Sequence, residues 1–261
     1  MLKTIRFKPF PHQDYPFNIQ SINSIDTLDL NNPITIFVGD NGSGKSTLLK
    51  AIAYYNESIN VSSQSIESSY YKESKDLAKY MNCTYTTRTK KGFFFSGEEF
   101  ITYINHLKHL KQTLKEDLKR IDIEYANKSA FAQSQARMAP AGQLAAMENS
   151  YDGDLKEKSH GEGFLAFFKE RMHQKGLYLL DEPETPLSAI NQYKLVVMIT
   201  DLVRQGSQVI IATHSPIIMA IKDATIYQFN ETISPIQYDD IESVNFTRYF
   251  LNNKEAYINR L

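Results

Sequence analysis

Short apolar stretches of strand type alternate with longer stretches of helical spacing through most of this chain. Over residues 1–38 the apolar positions come in brief runs, at 2–10, 17–20, 27–30 and 33–38, and each predicts a strand. From Ser46 to Tyr55 the apolar residues recur at helical spacing. Residues 55–74 are rich in Ser and Asn and predict an irregular surface loop. Residues 84–89 and 92–95 read as strands bracketing a basic turn. Farther on, helices are expected over 164–172, over 187–205 with Gly206 as the stop, and over 241–261. Buried strands are expected at 177–180 and 208–212, and a hairpin from 224–230 and 233–238.

The character of the chain changes at Ile101. Leu107, Leu110, Leu114, Leu118, Ile121 and Tyr125 form one apolar helical stripe, with Lys108, Lys111, Lys115, Lys119 and Arg120 on the other faces. Residues 126–147 are rich in Ala, Gln, Ser and Met, and are interrupted by Pro140 and Gly142, which predicts a frayed helix pair or a mobile segment. The expected organisation is a core from 1–100 and 151–261, with 101–150 as a helical insertion lobe.

Composition narrows the class. At 261 residues, 42% hydrophobic and 23% charged, the chain is long enough to bury a sizeable core. No apolar run approaches a spanning length, and the first residues alternate like a strand instead of resembling a signal peptide. Cys83 is the single cysteine, so no intrachain disulfide can form, and a reducing, cytoplasmic location is expected. A net charge of −1 provides no global attraction to nucleic acid or anionic membrane.

The chemistry is concentrated where apolar runs end. After 33–38 comes Gly39-Asp40-Asn41-Gly42-Ser43-Gly44-Lys45-Ser46-Thr47, a glycine-rich phosphate loop between a strand and a helix start. Glycines there let backbone N–H groups wrap a triphosphate, and the helix N-terminus adds partial positive charge. Lys45 is expected to reach the β- and γ-phosphates of ATP, and the Ser46 hydroxyl to help hold Mg²⁺. Asp181 ends the apolar run 177–180 and can order the Mg²⁺ shell; Glu182 can polarise the attacking water. His214 follows the run 208–212, where an imidazole can reach the γ-phosphate or the water. Ser159 and Gly161 stand directly before the helix expected at 164–172, a hydroxyl and free N–H groups suited to an anion. Since the first loop already holds one triphosphate, this second site fits a nucleotide bound by another protomer.

These four segments occur in the order found in ATP-binding-cassette (ABC-class) ATPases, and the chain resembles their stand-alone soluble branch. Related proteins are the heads of chromosome-maintenance and double-strand-break-repair ATPases; small predicted bacterial ATPases are more similar still. The resemblance implies an α/β P-loop NTPase of ABC-ATPase type: a mixed sheet, an N-terminal antiparallel β-subdomain and a helical insertion lobe. By position it implies that Gly39, Asn41, Gly42, Ser43, Gly44, Lys45, Ser46 and Thr47 bind nucleotide. It likewise assigns the metal to Ser46 and Asp181, and catalysis to Glu182, His214 and Lys45. Ser159 and Gly161 correspond to the signature contacts made across an ATP-bridged homodimer. Three departures stand out. The signature reads Lys158-Ser159-His160-Gly161-Glu162, and Glu184-Thr185-Pro186-Leu187-Ser188 replaces the usual Ser-Ala-Leu-Asp ending. No lid glutamine is evident in 92–100, where Glu98 is the candidate; Tyr15 and Phe17 are candidates for the base, with core packing the simpler fate of both.

Two function classes follow: an ATPase whose dimer closure drives a partner, and the nucleotide-binding subunit of a membrane transporter. Thr213-His214-Ser215 and the altered signature favour the first, because transporter subunits usually carry Thr-His-Asp and Leu-Ser-Gly-Gly-Gln. A protein partner is expected at 101–150. The basic clusters at 88–91 and 108–120 can track nucleic-acid phosphates, although charged faces of an exposed helix need no ligand to explain them.

Overall fold

A computed structural model describes residues 1–10, 14–60, 72–149, 160–172 and 175–258. Its central strands are apolar on both faces, and this decides the layering. In β7 (Leu177–Asp181), Leu177 and Leu179 face one side of the sheet while Tyr178 and Leu180 face the other, and all are buried. β3 (Ile34–Gly39), β6 (Gly92–Ser96) and β8 (Gln208–Ala212) are buried on both faces in the same way. Strands of this kind require cover above and below.

One cover is α2 (Lys45–Tyr55), whose Leu48, Leu49, Ile52 and Ala53 pack with Phe37, Phe94 and Ile210. A small antiparallel sheet of β1 (Leu2–Phe7), β2 (Thr27–Asp29) and β5 (Met81–Tyr85), in the order β2-β1-β5, extends this layer through Leu2, Ile5, Leu28 and Met81. The opposite cover consists of helices. In it, α6 (His160–Arg171) and α7 (Ala189–Arg204) bring Phe164, Phe168, Leu195 and Ile199 against Phe93, Phe95, Tyr178 and Ile211.

Among the described residues the main sheet has the order β10-β9-β3-β8-β7-β6-β4, with β4 at Ile59–Asn60, β9 at Thr225–Phe229 and β10 at Ile233–Ile236. Its pairings are parallel except for the β9–β10 hairpin. The fold is therefore mixed α/β with a separate antiparallel sheet, as expected. The β3–β8–β7–β6 register brings Phe37, Ala212, Asp181 and Ser96 to one edge.

Several local expectations are corrected. Residues 17–20 are not a strand: Phe17 and Asn18 donate to the Asp14 carbonyl, and a short α1 (Gln20–Asn23) follows. The reason is the burial of Phe17 against Phe10 and Tyr80, with ring centroids 4.9 and 5.4 Å away. The first strand stops at Phe7 and not residue 10, since Pro9 has no N–H to continue the ladder. The strand expected at 84–89 lies earlier, at Met81–Tyr85, because β5 joins β1 through that stretch, while the all-Phe interior of β6 needs the doubly covered sheet. Residues 55–74, expected as a loop, include β4 and the first turn of α3 (Lys72–Ala78), while 61–71 lie outside the described residues. The last helix is split into α9 (Glu242–Asn252) and α10 (Lys254–Ile258).

Residues 97–149 form two long helices in contact, α4 (Gly97–Glu124) and α5 (Ala130–Asn149). α5 continues through Pro140 as one helix, in place of the expected helix pair or mobile segment. Ile104 and Leu114 of α4 are buried, and Ile104 joins the core. The short α8 (Pro216–Met219) is capped by the Ser215 hydroxyl, which accepts from Ile217 and Ile218.

One side chain bolts the small sheet to the large one. Buried Gln208 donates through Nε2 to the carbonyls of Leu2 and Leu30, each at 2.8 Å, and accepts from the Leu2 N–H at 2.8 Å. Gln208→Leu keeps the volume but leaves these backbone groups unpaired. Unfolding in urea is expected to show a loss of about 3 kcal/mol; a loss within error of zero contradicts the bolt.

Candidate functional site

The edge where β3, β8 and β7 end in parallel faces the start of α2, and the loop between β3 and α2 is shaped by backbone that only glycine adopts easily. Gly39, Gly42 and Gly44 have φ of +144°, +79° and +97°. At Gly39 a Cβ would also lie 2.4 Å from the Phe229 carbonyl, so the loop is seated directly on β9. α2 then begins at Lys45 with no side-chain cap, which leaves its first N–H groups without partners inside the helix. Ser21 Oγ braces the loop from behind by donating to the Ser43 carbonyl.

Lys45 is buried, and its Nζ donates to the carbonyls of Gly39 at 2.8 Å and Asp40 at 2.7 Å. Burial lowers its pKa, while Glu182 and Asp181 oppose the shift. Ser46 Oγ donates to Asp181 Oδ1 at 2.7 Å and links the helix start to the end of β7. Burial raises the Asp181 carboxyl to about 6, against the Ser46 hydrogen bond and the Lys50 charge. A hydroxyl and one buried carboxylate make a hard oxygen set suited to a divalent cation that takes its remaining ligands from phosphates and water. Among the described residues no group of His, Cys, Asp or Glu could enclose a metal by itself. The donors present fit a shared metal and not a protein cage.

Glu182, one residue past the strand, has φ +45°, an uncommon left-handed conformation for a side chain-bearing residue, and its N–H donates to the Ala212 carbonyl at 2.8 Å. His214 Nε2 lies 3.8 Å from Glu182 Oε1. Asn41, Gly42, Gly44, Lys45, Ser46, Thr47, Glu182 and His214 line one cleft of about 530 Å³ together with Tyr15 and Ile19. Tyr15 is not core as expected; 56% exposed, its hydroxyl is 3.1 Å from Thr47 Oγ1, whereas Phe17 is buried. Gly161 falls inside the first turn of α6, which begins at His160 and not near Phe164, so this glycine does not precede the helix as expected. Ser159 lies outside the described residues.

Glu98, the expected lid candidate, is exposed; its neighbour Glu99 is the buried one. Glu99 Oε1 pairs with Lys50 of α2 at 3.5 Å, and its Oε2 accepts from Asn60 at 3.2 Å. Its charge reaches Asp181, raising that carboxyl. A signal was present in the sequence: Ser96-Gly97-Glu98-Glu99 is a capping-box pattern, and the Ser96 hydroxyl accepts from the Glu99 N–H at 3.5 Å. Next to it, a Cβ on Gly97 would lie 2.2 Å from the Glu182 carbonyl, so α4 starts in contact with the acidic turn.

Residues 56–219 match the family described as the AAA ATPase domain. The chain belongs to that family. The matched span includes the acidic turn and His214 and begins just after the helix that follows the phosphate loop. This AAA ATPase domain is also 23% identical over 213 residues to the macrolide export ATP-binding/permease protein MacB of Photorhabdus laumondii. The alignment covers 80% of this chain and 30% of that relative, so the chain spans under a third of its length. Solved structures with a similar course include the SMC head domain from Thermotoga maritima, at 14% identity and a TM-score of 0.40 over 90% of this chain and 99% of that one. The Smc head domain from Pyrococcus furiosus gives 12% identity and a TM-score of 0.47 over 95% and 99%. Among the described residues no helix is long and apolar enough to cross a membrane.

A carboxyl raised from 3.8 to about 6 binds its proton more tightly folded than unfolded. Its ionisation therefore costs stability: the cost is absent below pH 3.8, grows through the window and is complete above about pH 6. In nucleotide-free protein with chelator present, Asp181→Asn should match wild type near pH 4. Above pH 6 it should be more stable by about 3 kcal/mol. Denaturant melts across this range test it, and a stability gap that does not vary with pH contradicts the assignment.

Proposed function

We propose that this AAA ATPase domain binds ATP with Mg²⁺ and hydrolyses it. The observation that carries the reading is the 2.7 Å bond between Ser46 and Asp181 beside Lys45 and Glu182 in a single cleft. The loop N–H groups and Lys45 bind the phosphates, and Lys45 exchanges its contacts with the Gly39 and Asp40 carbonyls for phosphate oxygens. Ser46 and Asp181 would hold Mg²⁺, which when bound offsets phosphate charge. Glu182 accepts the proton of the attacking water at its carboxylate, and His214 orients that water or the γ-phosphate from the neighbouring turn. Tyr15, on the cleft wall, helps confine the nucleotide.

The further proposal is an ATP-bridged homodimer in which Ser159 and Gly161 of one protomer complete the partner's site. Closure then acts on a protein partner through residues 101–150, or on nucleic acid through the basic clusters, in the cytoplasm. The name of the Photorhabdus relative, a macrolide export ATP-binding/permease protein, favours a second reading, a nucleotide-binding subunit of a transporter. Co-purification with a membrane protein distinguishes it.

Lys45→Ala is expected to lose binding of a fluorescent ATP analogue and phosphate release together. Glu182→Gln should retain binding while turnover falls about 100-fold or more. Turnover at the wild-type rate in Glu182→Gln removes Glu182 from the role of base. In analytical ultracentrifugation, Glu182→Gln with Mg-ATP should sediment as a dimer, and addition of Ser159→Arg should return it to monomer. A mass indifferent to both ATP and the Ser159 change rules out the bridged dimer.

A further inference from the structure

Glu184 lies two residues beyond Glu182 and is assigned no role in the chemistry above. Its carboxyl group is nevertheless largely withdrawn from solvent. Oε1 accepts the backbone N–H of His214 at 2.6 Å, while Oε2 is buried with no hydrogen-bond partner among the described residues. Burial raises its pKa, against the pull of the His214 N–H, its own N–H and the nearby Thr213 hydroxyl. Leaving such a carboxyl in this place is costly unless the bond it makes is needed.

The surroundings show what the bond fixes. β7 and β8 end side by side, and their outgoing turns carry Glu182 and His214. One tie between the turns is the Glu182 N–H donating to the Ala212 carbonyl at 2.8 Å. Another is the His214 N–H donating to Glu184. The acidic turn is itself closed by Thr185 N–H to the Glu182 carbonyl at 3.2 Å and Leu187 N–H to the Glu184 carbonyl at 2.7 Å. Glu184 therefore projects from a closed turn. Beyond Ala212 the chain has left the ladder with β7, and the His214 N–H takes its acceptor from outside the sheet. Glu184 supplies it, and the imidazole Nε2 lies 3.8 Å from Glu182 Oε1.

We propose that Glu184 is a positioning residue, whose carboxyl oxygen grips the His214 backbone N–H and so holds the imidazole against Glu182. This rests on the hydrolysis reading above and adds to it the group that sets the histidine's place. The contact that the geometry shows is the acceptor, Oε1 taking the His214 N–H at 2.6 Å, so the proposal is tested on the acceptor. An amide at this position keeps an oxygen for His214, whereas an apolar side chain of similar volume does not.

The test uses the full chain with Glu184→Gln and Glu184→Met, the latter keeping the buried volume should Glu184→Ala fail to fold. Glu184→Met should lower kcat about 10- to 100-fold, the scale of a displaced reacting group. Affinity for a fluorescent ATP analogue should be unchanged. Glu184→Gln should stay within about threefold of wild type, since the hydrogen bond survives. In nitrogen–proton correlation spectra the His214 amide proton should lie downfield in wild type and Glu184→Gln and move upfield in Glu184→Met. Full turnover in Glu184→Met, an unmoved His214 amide, or an equal loss of kcat in both variants each overturns the proposal. If the wild-type chain releases no phosphate, the hydrolysis reading fails by itself. The His214 amide and ring-proton signals then decide alone, and their insensitivity to Glu184→Met overturns the positioning role.

Discussion

A carboxylate held out of water at the end of a strand is the constraint on which the rest of the structure turns. Asp181 is buried at the edge where parallel strands end, and its own environment favours the proton. The Ser46 hydroxyl and the Lys50 charge oppose that cost, and both come from α2. The helix that starts at the phosphate loop is thereby fastened to the strand that carries the acid. Loop geometry, helix direction and strand register must agree for this bond to form. They agree because β3, β8 and β7 share one parallel register and the loop rests against the Phe229 carbonyl.

The same edge gathers more than the phosphate loop. Glu99 draws Lys50 and Asn60 together in a second polar layer, and Gly97 lets α4 begin against the Glu182 carbonyl. The backbone of the acidic turn thus meets the first turn of a 28-residue helix at Glu182, a residue that also lines the cleft. On the other side, Gln208 ties the small antiparallel sheet to the start of β8. The strand that leads to His214 is held at its entry by that bolt and at its exit by Glu184.

Much of this was legible in the sequence because the signals are local. Gly39–Lys45, the run into Asp181 and the run into His214 each carry strand, turn and chemistry within a few residues. What escaped was non-local. Nothing near Thr84 or Phe93 shows that their strands belong to different sheets, since the partners are Leu2–Phe7 for one and Leu177–Asp181 for the other. Residues 17–20 have a strand-like composition, but burial of Phe17 among Phe10 and Tyr80 decided the backbone. Of the pair Glu98-Glu99 the second is buried, and its partners Lys50 and Asn60 lie far from it along the chain. Glu184 reads as an ordinary turn acid until the His214 N–H is placed on it.

The union of Ser46 and Asp181 around a shared cation is the claim most directly open to measurement. Calorimetric titration of the chain with ATP, with and without Mg²⁺, should show Mg²⁺ strengthening binding in wild type. In Ser46→Ala, ATP should still bind through the loop N–H groups and Lys45, with the gain from Mg²⁺ lost. An equal gain from Mg²⁺ in Ser46→Ala and wild type would place the cation elsewhere and contradict this organisation of the cleft.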